Sequence, residues 1–285
     1  MGEKMKKLKS IGFALLYLVI SILIQFMVVY GVQIQIMIMQ RRGKEIPFNA
    51  LEQMLGNYGF NLIFISLINL ILIAGMGSWY YFIRKRSELS PVNYRKIFSP
   101  KTLGCLVALA FFAQYACSIV MTVISIAFPH SFNNYVKLME GVDINVLPAW
   151  ATLFIVAVWA PMAEEIVFRA MIFRTLRKGF AFWPAAILSG VAFGVYHMNL
   201  VQGVYASLLG VLLAYIYEKT NSLLGVYLFH LSFNLMNYVQ SFIQQNAGIP
   251  QLLQGLITLV LMAAAVPCLA ACIYWFSRIY RKTGD

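Results

Sequence analysis

The chain has 285 residues, of which 61% are hydrophobic and only 11% are Asp, Glu, Lys or Arg. A soluble domain usually carries about 25% charged residues, so this composition excludes an ordinary soluble protein. The formal net charge is +12, and the basic residues cluster in short segments between long apolar runs. That distribution is typical of the charges that orient a membrane protein, and it argues against nucleic-acid binding.

Eight apolar segments have about the length that a helix needs to cross a bilayer, roughly 17–25 residues. They are too long and too uniformly apolar for the strands of a membrane barrel. The sequence therefore predicts an all-α, polytopic integral membrane bundle with about eight transmembrane helices. The predicted spans are 11–37, 58–83, 103–128, 149–173, 181–198, 200–217, 222–245 and 252–277.

Basic segments mark the cytoplasmic ends of membrane helices. With both termini in the cytoplasm, all basic segments fall on that side except 41–44, which contains Arg41, Arg42 and Lys44. We therefore expect a multi-pass protein of the cell membrane with both termini cytoplasmic and 129–148 as an outside loop. The residues that agree are Lys4, Lys6, Lys7, Lys9, Arg84, Lys85, Arg86, Arg95, Lys96, Lys101, Arg174, Arg177, Lys178, Lys219, Arg278, Arg281 and Lys282.

Span four carries two adjacent carboxylates, and an ionisable residue at membrane depth indicates a functional site. Glu165 and Arg169 are four residues apart with the acid first, so they share a helix face and are expected to pair. Glu164 lies about 100° round the helix axis and is the candidate general base or acid. Pro161 removes a backbone donor and is expected to open the helix just before the carboxylates. The alternative for Glu165 and Arg169 is a pair that only locks two helices together.

Span five places Phe193 and His197 four residues apart on one face. Small residues follow nearly the same face of span five, and span six has a matching stripe, which favours close helix packing around His197. The two stripes are Ala186, Gly190 and Gly194 in span five and Ala206, Gly210 and Ala214 in span six. Taken alone, His197 is better explained as a hydrogen-bonded packing residue.

Span seven carries His230 and Asn234, also four residues apart, so both side chains point the same way. An imidazole and an amide on one face can donate two hydrogen bonds to a developing oxyanion. The alternative is an interhelical hydrogen-bonded pair. The four cysteines, all in apolar segments, are expected to be small buried hydrophobic residues rather than a disulfide or zinc framework.

The three segments together resemble the motifs of the CPBP family, membrane proteases related to the type II CAAX prenyl endopeptidase and to bacterial Abi proteins. That family is marked by EExxxR, FxxxH and HxxxN on successive helices, which stand here at 164–169, 193–197 and 230–234. The resemblance covers about 149–240, and one departure is Ala170, where many relatives have Gly. It implies three parts: N-terminal helices over 1–148, a catalytic core of spans four to seven over 149–246, and a C-terminal helix and basic tail over 247–285.

The resemblance implies an intramembrane endopeptidase that cuts membrane-associated or lipidated peptides. Glu164, helped by His197, would activate water, and His230 and Asn234 would stabilise the oxyanion. Glu165, Arg169 and Phe193 would support these residues. We expect no cofactor, because an amide beside His230 suits a donor pair better than a metal shell.

Three alternatives stay open. Glu164, His197 and His230 would be the ligands of a zinc-dependent version, since two His and one Glu form some catalytic zinc sites. A non-catalytic bacteriocin-immunity or transporter-type membrane protein would use the same polar residues as a proton relay. The third is a scaffold with a degenerate site. The predicted spans place Glu164, His197 and His230 at depths that differ by roughly 10 Å, which staggered or broken helices, or shifted span boundaries, would reconcile.

Overall fold

The computed structural model describes residues 2–41, 58–85, 92–140 and 149–281. This part of the chain is helical almost throughout and contains no strand, which confirms the all-α class. Arg42, Lys44, Arg86, Asp143 and Lys282, on which the predicted orientation partly depends, lie outside the described residues. The α-helices are α1 (Glu3–Arg41), α2 (Tyr58–Leu72), α3 (Ser78–Lys85), α4 (Tyr94–Ile97), α5 (Pro100–Ala127), α6 (Pro129–Glu140), α7 (Ala149–Leu153), α8 (Ala160–Glu165), α9 (Arg174–Arg177), α10 (Phe182–Tyr196), α11 (Leu200–Thr220), α12 (Leu223–Asn246) and α13 (Gln251–Ile279).

Wider π-helical segments join some of these helices into longer runs. Ile73–Gly77 joins α2 to α3, and Phe154–Trp159 joins α7 to α8. Ile166–Phe173 then joins α8 to α9, so helix runs without a break from Ala149 to Arg177. Short π-helical bulges often occur at functional sites, and two of these three segments flank the two carboxylates.

Each of the eight predicted spans coincides with a helix or a continuous helical run. Among the described residues, six helices are long and apolar enough to cross a membrane, by length and composition only. They are Glu3–Val28, Ile65–Ile83, Pro100–Ala127, Trp150–Arg177, Leu200–Thr220 and Gln251–Ile279. Of the other two, α10 has only 15 residues, and α12 carries many Asn and Gln residues in its second half. The segment 129–148, predicted to connect two spans outside the membrane, contains a further helix over Pro129–Glu140, and its outside location stays a prediction.

Local side-chain caps explain where several helices begin. The Ser99 side chain accepts from the Thr102 amide at the start of α5, and Asn199 accepts from Gln202 at the start of α11. These side chains satisfy backbone donors that the first turn of a helix leaves without partners. At the end of α11, Asn221 takes a left-handed backbone with φ +48°, which asparagine tolerates well.

The chain divides into two compact units. Unit 1 comprises Met1–Ser87 and Asn133–Ala181, and unit 2 comprises Glu88–Phe132 and Phe182–Asp285. In unit 1, α1 packs against the run from Ile166 to Arg177. This grouping does not test the proposed division into 1–148, 149–246 and 247–285, which stays a prediction.

Two contacts tie α2 and α3 to the helical run of span four in unit 1. The Trp159 indole donates to the Ser66 carbonyl at 3.3 Å. The Arg174 guanidinium lies 5.8 Å from the centre of the Tyr80 ring. The first satisfies a polar group that would be costly in an apolar interior, and the second is within the range of a cation–π contact.

Unit 2 is built on a close approach between α10 and α11. A Cβ atom on Gly190 would lie 2.6 Å from the Ser207 carbonyl oxygen, and one on Gly210 would lie 2.7 Å from the Gly190 Cα. A Cβ on Gly194 would overlap the Gly203 carbonyl oxygen. The predicted small-residue stripes are therefore in contact, and Gly203 extends the contact beyond the residues that the sequence indicated.

Candidate active site

The two carboxylates of span four lie at the end of α8, with π-helical turns on both sides. Pro161 stands in the first turn of α8, which follows the wide segment Phe154–Trp159 directly, so the helix is locally open where Pro161 predicts it. The second wide segment begins at Ile166, next to Glu165. In a π-helical turn, residues five apart come close to alignment, which brings Glu164 toward Arg169.

Glu165 and Arg169 form the predicted ion pair. The Arg169 Nε lies 3.2 Å from Glu165 Oε2, and the two side chains are 0% and 2% exposed. Glu164 is half-buried, and Arg169 is attracted by both carboxylates, more strongly by Glu165. Because the Arg169 cation is buried against the Glu165 carboxylate, a fixed ion pair lies directly beside Glu164. The supporting role proposed for the pair stays a prediction.

His197 lies just beyond the end of α10, in the turn that leads to α11. Its Nδ1 is 2.8 Å from the Phe193 carbonyl oxygen. A carbonyl can only accept, so Nδ1 must carry the hydrogen, and the neutral ring keeps the lone pair on Nε2. The geometry therefore prepares Nε2 to accept a proton or hydrogen bond from water, or to bind a metal ion.

Phe193 lies between the two histidines of unit 2. Its ring centre is 4.8 Å from that of His197 and 5.9 Å from that of His230, with interplanar angles of 86° and 88°. Phe193 is 1% exposed and His230 3% exposed. Edge-to-face contacts with a buried aromatic ring restrict the rotamers of both imidazoles. The structure thus brings together Phe193, His197 and His230 from spans five and seven.

Asn234 lies one turn after His230 on α12 and is half-buried. A residue that the sequence reasoning missed holds this part of the helix: the Gln114 amide of α5 donates to the Phe233 carbonyl at 2.6 Å. Gln114 is the only Asn or Gln of α5, and a single amide in an apolar helix is the sequence feature that could have indicated its role. Its hydrogen bond fixes α12 against α5 at the residue next to Asn234.

The predicted site residues divide between the units. Phe193, His197, His230 and Asn234 belong to unit 2, whereas 164–169 belongs to unit 1. Their convergence on one point stays a prediction. Within either unit, the described residues contain no group of three His, Cys, Asp or Glu side chains placed to hold a metal ion. The zinc set that combines Glu164 with both histidines is not tested by that observation.

The sequence is similar to a family of known proteins and to one further membrane protein. Residues 146–236 match the sequence model described as "Type II CAAX prenyl endopeptidase Rce1-like". A second similarity is to "Putative membrane peptidase YdiL" of Bacillus subtilis (strain 168), 28% identical over 119 residues. That match covers 39% of this chain and 49% of the relative, so the chain spans about half of that protein's length. No solved structure matches significantly.

The fold and the membrane spans define a polytopic helical integral membrane protein. Within it, the segment 146–236 is similar to the Rce1-like type II CAAX prenyl endopeptidases. This matched segment contains all seven residues that the sequence singled out, which lie on spans four, five and seven.

Proposed function

We propose that this protein is an intramembrane endopeptidase that hydrolyses peptide bonds of membrane-associated or lipidated substrates. The observation that carries the proposal is the cluster of two imidazoles around Phe193, inside the segment that matches a family of prenyl endopeptidases. Neither helix packing nor bilayer insertion requires two histidines in this arrangement, whereas peptide hydrolysis needs a polarised water and an oxyanion partner.

In the proposed reaction, Glu164 takes a proton from water while His197 Nε2 accepts a second hydrogen bond from the same molecule. The water oxygen adds to the peptide carbonyl carbon, and the developing oxyanion receives hydrogen bonds from His230 and Asn234. The carbon–nitrogen bond then breaks, and the proton held by Glu164 passes to the leaving amine. Arg169 and Glu165 position Glu164.

A zinc-dependent version of the same reaction is the second candidate, and one observation favours it. Histidines that bind metals usually donate their other ring N–H to a carbonyl or carboxylate, as the Nδ1 of His197 does to Phe193. Glu164, His197 and His230 would hold the ion, which would polarise the water. The residues present fit such a group by their donor chemistry.

The test compares peptides released in membranes from cells that express the wild type, Glu164→Gln or Glu218→Gln. Glu218 is an exposed carboxylate at the end of α11 and provides the matched control. Loss of a general base reduces the rate by roughly 10²–10⁴. We expect Glu164→Gln to lose the products that mass spectrometry finds for the wild type and for Glu218→Gln, with an unchanged unfolding temperature.

Other results would redirect the proposal. Products that persist in Glu164→Gln would rule out this carboxylate as the base. Activity that strong chelators abolish and zinc restores would select the metal-dependent version. A physiological effect without any product would favour the non-catalytic immunity or transporter-type alternative.

We further propose a location in the plasma membrane with both termini cytoplasmic, which protease protection of terminal tags in sealed vesicles would test.

A further inference from the structure

A groove opens at one end of unit 2, between the first turns of α5 and the last turns of α13. Its volume is about 710 Å³. None of its lining residues belongs to the predicted catalytic set. The lining residues are Lys101, Cys105, Cys272, Trp275, Arg278 and Ile279.

The groove changes from charged to apolar with depth. Lys101 stands in the first turn of α5 and Arg278 in the last turn of α13, so both cations lie at the groove's outer end. Cys105 and Cys272 lie four and six residues further in, roughly 6 and 9 Å along their helices. The Cys105 thiol contacts the Cys272 carbonyl at 3.5 Å, which closes the floor. All four cysteines are half-buried rather than fully buried as predicted, and Cys105 and Cys272 line the groove.

The two segments that form the groove carry only positive charge. The described segments 92–107 and 268–281, which form its rim and walls, contain no Asp or Glu. Lys96 adds a further cation at this end, 4.9 Å from the centre of the Tyr280 ring. Trp275 is 65% exposed, as expected for an aromatic side chain at the interface between water and lipid. Such a rim complements an anion, and the apolar floor complements a hydrocarbon chain.

We propose that this groove binds one anionic phospholipid. The headgroup phosphate lies between Lys101 and Arg278, and one acyl chain runs over Trp275 toward the Cys105–Cys272 floor. Basic pockets between transmembrane helices are suited to acidic headgroups, and each cation near the surface strengthens binding roughly fivefold. A free phosphate would satisfy the rim alone, whereas a lipid also covers the apolar floor. This binding is independent of the proposed peptidase activity.

The experiment presents the full-length protein in micelles with equal amounts of phosphatidylglycerol and phosphatidylcholine of the same acyl chains. Native mass spectrometry measures how much of each lipid stays bound. The test variant is Lys101→Gln/Arg278→Gln, and the control is Lys4→Gln/Lys9→Gln, which removes two exposed cations from α1. We expect the wild type and the control to retain phosphatidylglycerol preferentially, and the test variant to bind it about thirtyfold more weakly.

A third variant, Cys272→Phe, keeps both cations and fills the floor. We expect it to lose the bound lipid as well, with phosphatidylglycerol falling to the level of phosphatidylcholine. Equal retention by the wild type and the Lys101/Arg278 variant would overturn the site. Phosphatidylglycerol that stays bound to Cys272→Phe, or that millimolar inorganic phosphate displaces completely, would show that the groove binds an anion only and would overturn the proposal of a lipid. Because Lys101 and Arg278 are exposed, the double variant should fold, which its unfolding temperature checks.

Discussion

Replacing Gly190 by alanine tests the close packing that holds the histidine cluster. The new Cβ would lie 2.6 Å from the Ser207 carbonyl oxygen, 0.8 Å short of the 3.4 Å at which ordinary contact begins. The obstacle is backbone, so α10 must move away from α11 by about that distance. A gap of 0.5–1 Å loses a quarter to a half of each dispersion contact, and overpacking of this kind typically costs about 1–3 kcal/mol.

Gly255→Ala is the matched control, because a Cβ at Gly255 in α13 meets nothing within 4 Å. Both substitutions gain the same helix propensity, roughly 0.5–1 kcal/mol, so their difference isolates the steric cost. Thermal unfolding in one detergent measures that difference, which we expect to be roughly 2–12 °C with Gly190→Ala the lower. Equal unfolding temperatures would refute the backbone contact between α10 and α11. Because Phe193 follows Gly190 by one turn, Gly190→Ala should also lose cleavage activity, whereas Gly255→Ala should keep it.

Three further substitutions probe other contacts by the same unfolding measurement. Arg169→Leu leaves the Glu165 carboxylate buried without its cation and should lower the free energy of unfolding by about 3–5 kcal/mol. The double variant Glu165→Leu/Arg169→Leu should recover most of that loss. An Arg169→Leu protein as stable as the wild type would contradict the buried ion pair. Gln114→Leu removes the hydrogen bond to the Phe233 carbonyl and should cost about 0.6–1.7 kcal/mol, so an unchanged midpoint would mean that this bond contributes nothing. Met198→Gly should stabilise by up to about 1 kcal/mol, because Met198 has a φ of +50°, and a loss of stability would show that its exposed side chain matters more than its backbone.

The membrane class and the positions of the helices followed from hydropathy alone. A long apolar run has one stable form in lipid, because a helix satisfies its own backbone hydrogen bonds. The predicted spans therefore coincide with helices to within a few residues at most ends. The exceptions are informative: α1 begins at Glu3, ahead of the predicted start, because a helix can continue past the membrane into water. Pro129–Glu140 is amphipathic and polar, so hydropathy gave no indication of the helix that this connecting segment forms.

The candidate site was predictable where one helix carries both partners. The pair of Glu165 and Arg169 depends only on a spacing of four, and that spacing is visible in the sequence. The contact of Phe193 with His230 was not predictable in this way, because it joins two spans whose relative rotation is set by packing. The same holds for Gln114, which contacts a backbone carbonyl that has no sequence signature.

By itself, the sequence determined the all-helical membrane class, the positions of the eight helical runs, the three motifs and the two stripes of small residues. Each of these depends on composition or on spacing within one segment, which local backbone geometry converts directly into a helix face. Tertiary structure decided which faces meet. It fixed the His197 tautomer through the Phe193 carbonyl, placed Phe193 between two imidazoles, and opened the groove between α5 and α13. Those features arise between helices, where side-chain volumes and backbone approach, rather than sequence period, set the geometry.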